Sequence, residues 1–133
     1  RPVAQDDPLA LLDLVIDAFD EVFGEQRKLF QAFMIAGHSN ATLRSGGREF
    51  SRMAAGIFAD LFVRRTGASA EAADAAYRLL FGRAVLRMML DEDEISGLDV
   101  APELQRQHIR DAMAAILGIP PRPQRSAGRR RPG

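Results

Sequence analysis

Apolar residues recur along this chain at three- and four-residue steps, the spacing that gathers them on one face of an α-helix. Asp7 followed by Pro8 is a helix start, a side-chain acceptor and then a residue whose missing N–H costs nothing in the first turn. Leu9, Leu12, Val15, Ile16, Phe19, Val22 and Phe23 form one stripe of the first predicted helix, with Asp13, Asp17, Asp20 and Glu21 on the other side. Gly24 is its expected stop. A second, shorter helix is predicted over residues 25–36, with Leu29, Phe30, Phe33 and Met34 inward and Gly37 as its end. The segment GHSNATLRSGG (37–47) is polar and broken by glycine, and Asn40 or Thr42 caps the third helix. From Arg48 to Thr66 the pattern is clear again: Phe50, Met53, Ala54, Ile57, Phe58, Leu61 and Phe62, closed by Gly67. Ser69 caps a long fourth helix reaching about Leu90. Four carboxylates from Asp91 to Glu94 oppose the dipole at a helix C-terminus, so a loop through Gly97 is expected there. A last helix over 102–117 carries Leu104, Ile109, Met113, Ile116 and Leu117 and stops at GIPPRP. No segment alternates as a half-buried strand does. The fold class predicted is all-α, a five-helix antiparallel bundle.

The fourth helix departs from the simple pattern. Its stretch YRLLFGRAVLRMML (77–90) is apolar almost all the way round. At about 100° per residue its apolar positions separate into two stripes. Ala75, Leu79, Gly82, Leu86 and Met89 fall on one side. Ala73, Tyr77, Phe81, Ala84 and Met88 fall nearly opposite, with Arg78 on one boundary and Arg83 and Arg87 on the other. A helix apolar on both faces must be covered on both. Either the helix is central and wrapped by the other four, or a second molecule covers one side. Glycine permits close helix approach, which assigns the Gly82 stripe to a subunit interface and the aromatic stripe to the domain's own core. The last helix adds Ile109, Met113 and Ile116 to that interface, giving a contact of two helices from each subunit.

Composition narrows the classes. The chain has 133 residues, enough for one domain with a sizeable core, and no apolar run long enough for a membrane span. It has no Cys, so disulfides, thiolate metal sites and Cys nucleophiles are excluded, in keeping with a cytoplasmic setting. Formal net charge is zero, unlike a typical nucleic-acid binder. No secretory signal is visible, and the first residue is Arg rather than Met, as in a piece of a longer chain. Residues 1–119 read as the helical domain. Residues 120–133, with Arg122, Arg125, Arg129, Arg130 and Arg131 and no apolar anchor, read as a disordered basic tail. Such a tail can touch DNA phosphate without specificity; an extension with no role in the fold is the favoured reading.

The order DPLALLDLVIDAFDEVF, EQRKLFQAFMIAG, a long helix to FADLFVRRTG, the two-stripe helix and APELQRQHIRDAMAAILGI resembles the C-terminal effector domain of TetR-family transcriptional repressors. The resemblance spans about residues 7–119 and rests on helix lengths, linkers and apolar spacing, since this half of the family has no fixed motif. It implies a homodimer through the last two helices and a small-molecule pocket among the preceding ones. It also implies operator binding only through an N-terminal helix-turn-helix, which these 133 residues do not include. Effector binding would then alter the separation of the two DNA-reading heads.

Under that resemblance the pocket candidates are Phe30, Phe33, Met34, Phe50, Met53, Ile57, Phe58, Tyr77 and Phe81, suited to a small hydrophobic effector, with the Tyr77 hydroxyl and His38 as polar groups. Without it, aromatic and Met residues at helical spacing are ordinary core, and His38 is a solvent-exposed loop residue. GHSNA (37–41) nearly matches the nucleophile elbow, but a helix precedes it and Ala41 stands where glycine is required, so Ser39 is rejected. No catalytic group, metal set or cofactor motif is indicated. The alternative function is a helical interaction or adaptor domain with no small-molecule ligand.

Overall fold

The computed structural model describes residues 7–122, and among them it contains helices and no strand. The helices are α1 (Pro8–Glu25), α2 (Arg27–Gly37), α3 (Ala41–Thr66), α4 (Ala70–Met89), α5 (Glu92–Ile95) and α6 (Pro102–Leu117). The caps obey the local chemistry. Asp7 accepts from the Ala10 amide at 3.2 Å, Asn40 from Leu43 at 3.0 Å and Ser69 from Ala72 at 3.1 Å. Each satisfies one of the donors a helix start leaves free. Gly67 and Gly118 adopt φ of 76° as left-handed caps of α3 and α6, a conformation that glycine takes without a Cβ penalty.

Two of the next three boundaries differ from the sequence expectation. α1 runs through Gly24 and ends a residue later, because Gly24 keeps helical geometry and the turn into α2 is made at Gln26. α3 begins at Ala41 behind the Asn40 cap, one of the two expected, and Gly46 and Gly47 lie in its early turns, where the cap compensates for their weak helix propensity. The acidic run forms a sixth helix, of one turn, where the sequence predicts a loop. Leu90 and Asp91 are extended, so the carboxylates stand at a new helix N-terminus rather than at the end of α4. There they oppose the dipole favourably, and the Glu94 carboxylate accepts from the Asp91 amide at 2.7 Å.

α4 is the central element and touches all the others. Its inner side, Ala73, Ala76, Tyr77, Leu80, Ala84 and Met88, is buried with Leu9, Leu12, Val15, Ile16 and Phe19 of α1 and with Phe62 of α3. Met113, Ala114 and Leu117 of α6 complete that core. Three ion pairs fasten α6 to α1: Asp13 receives Arg106 at 3.4 Å and Arg110 at 3.5 Å, and Asp17 receives Arg106 at 3.5 Å. The α2–α3 hairpin is different. No residue of α2 is buried and Phe62 is the single buried residue of α3; the C-terminal half of α3 packs along α4, while α2 and the first half of α3 form a largely exposed arm.

Arg122 lies 3.2 Å from Asp7 and joins the two ends of the described region. The rest of the predicted tail, including Arg125, Arg129, Arg130 and Arg131, lies outside the described residues. The Ala10 amide, and after it the Arg122 guanidinium, hold the Asp7 carboxyl below its ordinary value of 3.8. A carboxyl depressed on folding stabilises the fold above its unfolded pKa, and that contribution is lost as pH falls through the folded value. Asp7→Asn keeps the cap acceptor but not the charge. Its melting temperature is expected to lie below that of the parent at neutral pH, with the gap starting to narrow below about pH 3.8 and closing only once the pH falls through the depressed value of the folded state. A gap that persists unchanged in acid would remove Asp7 from the cause.

Candidate functional site

Three surfaces carry groups beyond those the fold needs. The first is the aromatic region. Phe58, Tyr77 and Phe81 join Phe19 and Phe23 of α1 in a continuous set of rings, which Phe30 of α2 extends. Phe19 meets Phe58 edge-on at 5.0 Å, Tyr77 and Phe81 stack at 5.8 Å, and Phe23 lies 4.6 Å from Phe30. Such pairs add about 0.5–1.5 kcal/mol each beyond area burial. Burial pushes the Tyr77 phenol above its ordinary pKa, so it stays protonated at neutral pH. The rings pack directly against one another, with centroids 4.6–6.1 Å apart.

The remaining pocket candidates lie elsewhere. Phe33 and Met34 on α2 and Phe50, Met53 and Ile57 on α3 are exposed, Phe50 at 62 %. Phe50 and Met53 flank a shallow hollow over Gly46 on the outer side of the arm. His38 sits exposed at the far end of the arm, where its carbonyl and that of Gly37 accept from Arg44. The structure thus groups Phe30, Phe58, Tyr77 and Phe81 and leaves the other six apart from them.

The second surface is the outer side of α4. Ala75, Gly82, Leu86 and Met89 are exposed and Leu79 is half-buried, while the opposite stripe faces the core. A Cβ added at Gly82 would meet no atom within 4 Å. The stripe has no charge at its centre; Arg78 on its edge is paired with Asp74 at 2.6 Å. On α6, Ile116 is exposed and Ile109 half-buried, but Met113 is wholly buried in the chain's own core. Met113 therefore supports the α6 face from behind and does not form part of it. Its i, i+4 relation to Ile109 and to Leu117 is ambiguous in sequence, and packing against α4 and α1 turns it inward.

The third is a cleft of about 330 Å³ where the end of α1, the start of α2, the end of α4 and α5 meet. Phe23, Ala84, Met88 and Leu90 give it an apolar floor, and Asp20, Arg27, Arg87, Asp91 and Glu92 give it charged walls. Asp20 accepts from Arg83 at 2.8 Å and from Arg87 at 3.2 Å. Arg27 donates through Nε to the Met88 carbonyl at 3.0 Å and contacts Asp91 at 3.3 Å; Gln31 donates to the same carbonyl at 2.6 Å. Arg87 also contacts Glu92 at 3.1 Å. These bonds tether the base of the arm to the last turn of α4. Periodicity and motif do not reveal this cleft. Arg83 and Arg87, four apart on one boundary of α4, are the available signal: two guanidiniums on one edge call for a carboxylate from a neighbouring helix.

Among the described residues no cluster of His, Asp and Glu fit to hold a metal is present, and no helix is long and apolar enough to cross a membrane. Comparison with protein-family models, with curated proteins and with solved structures gave no match.

Proposed function

We propose that this chain is the dimerising, effector-sensing half of a TetR-like transcriptional regulator. The observation that carries the reading is the uncharged stripe of Ala75, Leu79, Gly82, Leu86 and Met89, left open on a helix whose opposite side is already core. With Ile109 and Ile116 of α6 it forms a face that two copies can share about a two-fold axis, each helix pair meeting its equivalent. Flat faces with a central glycine let backbones approach closely, and an apolar centre with charges at the edge is the usual anatomy of an obligate interface. Operator DNA would be read by a helix-turn-helix outside these residues. A small hydrophobic effector would act on the aromatic set and the exposed arm beside it.

A second reading is a helical interaction domain with no small-molecule ligand. The filled aromatic cluster favours it, since an effector would have to separate rings already in contact. Both readings predict the same pairing and differ in ligand response. Light scattering on the chain is expected to give twice the 14.6 kDa chain mass at micromolar concentration. A mass of one chain throughout would remove the dimer from both. A panel of apolar effectors that leaves the melting temperature unchanged would leave the interaction domain standing and set aside the sensor.

A further inference from the structure

The cleft at the base of the arm holds more than the ion pairs of an ordinary surface. Asp91 and Glu92, which occupy Arg27 and Arg87, are consecutive residues at the start of α5, a helix of one turn. A single turn forms at a cost its own hydrogen bonds do not recover, so α5 is held in place largely by what it touches. Both contacts are solvent-exposed pairs, with the carboxylate side chains 71 % and 56 % accessible, a class of interaction that holds weakly. The two arginines are fixed more firmly. Arg27 is anchored on the Met88 carbonyl and Arg87 on Asp20. Preorganised guanidiniums over an apolar floor, satisfied by carboxylates from a weakly held element, describe a site already holding a substitute for its ligand.

We propose that this cleft binds a small carboxylate with an apolar body, which takes the places of Asp91 and Glu92 on Arg27 and Arg87. Charge fixes the sign of the ligand. With α5 in place, Arg27, Arg83 and Arg87 balance Asp20, Asp91 and Glu92. Once α5 withdraws, Arg83 stays paired with Asp20 behind the wall, the Arg27 and Arg87 guanidiniums are left facing the cleft, and an anion is favoured. The floor of Phe23, Ala84, Met88 and Leu90 takes the apolar body, and 330 Å³ suits a ring or a short alkyl chain. Binding at this cleft does not depend on the pairing of α4 and α6, and sedimentation of the same samples reads the pairing separately.

Phenylacetate is a suitable probe and phenylacetamide its neutral counterpart of the same shape. In a titration monitored by backbone amide NMR on the full chain, phenylacetate is expected to shift residues 88–94 and the start of α2 saturably, with Kd of about 1 mM or tighter. Phenylacetamide is expected to leave them unmoved. Arg27→Gln and Arg87→Gln should each weaken binding about tenfold. The double variant Asp91→Asn, Glu92→Gln removes the competing charges at exposed positions and keeps an N-cap acceptor. It should bind phenylacetate about fivefold more tightly. That gain is the result a merely structural ion-pair network would not give. Equal shifts with the amide, no saturable shift with phenylacetate, or no gain in the double variant would each overturn the proposal.

Discussion

If two copies pair through α4 as proposed, Gly82→Arg is expected to leave a folded monomer. Gly82 lies at the middle of the open α4 stripe, and a side chain built there meets nothing within the chain. Helix propensity favours the change, since a mid-helix glycine costs about 1 kcal/mol relative to a good helix former. The separate chain should therefore melt no lower than before. In a two-fold contact the same substitution places two guanidiniums close together in an apolar seam without a carboxylate. Burying an unpaired charge costs on the order of 3–5 kcal/mol, or roughly a hundred- to a thousandfold in the dimer constant. Gly82→Ala separates size from charge: it should retain the dimer or weaken it modestly while raising helix stability. Sedimentation velocity and circular dichroism on the same samples read the two effects. If Gly82→Arg sediments as the parent does, the α4 stripe is not the contact.

How far the sequence foretells this arrangement depends on whether a signal is local. Caps at Asp7, Asn40 and Ser69 are three-residue events, and each appears where the side-chain chemistry places it. The two stripes of α4 are legible because a 3.6-residue period fixes faces without knowledge of neighbours. Inward against outward is harder. Met113 shares spacing with both Ile109 and Leu117, and only the position of α1 and α4 decides which way it points. The acidic run is unfavourable against the dipole of α4, whereas one extended residue, Leu90, resets the frame and makes the same carboxylates favourable. The cleft at Arg27 and Arg87 is built from two stretches far apart in sequence, 20–27 and 84–92, and no period or motif connects them. For the pocket candidates, period identifies apolar faces on α2 and α3, but it carries no information on whether another helix will cover them. In this chain Phe50, Met53 and Ile57 stay open.

Phe62→Ala is expected to be the most damaging single substitution in α3. Of the 26 residues in that helix Phe62 alone is buried, and its exposure is zero. Ala55, Phe58, Ala59, Leu61 and Val63 pack against the core only partly, so Phe62 is the one fully enclosed anchor of α3. Truncating a buried Phe costs about 3–5 kcal/mol, from lost transfer energy and the cavity left behind. A domain of this size is stable by about 5–15 kcal/mol, so roughly a fifth or more is at stake and the melting temperature should drop on the order of 15 °C. Phe62→Leu, which refills most of the space, should recover more than half of that loss. Phe50→Ala on the open side of the same helix should change stability by no more than about 0.5 kcal/mol. The loss is also expected to be uneven. Amide exchange in Phe62→Ala should accelerate first along α3 and the arm, while α1 and α6, tied by Asp13 to Arg106 and Arg110, keep their protection longer. A loss under about 1 kcal/mol, or exchange that rises equally in α1, α3 and α6, would show that the arm is held by something other than this side chain.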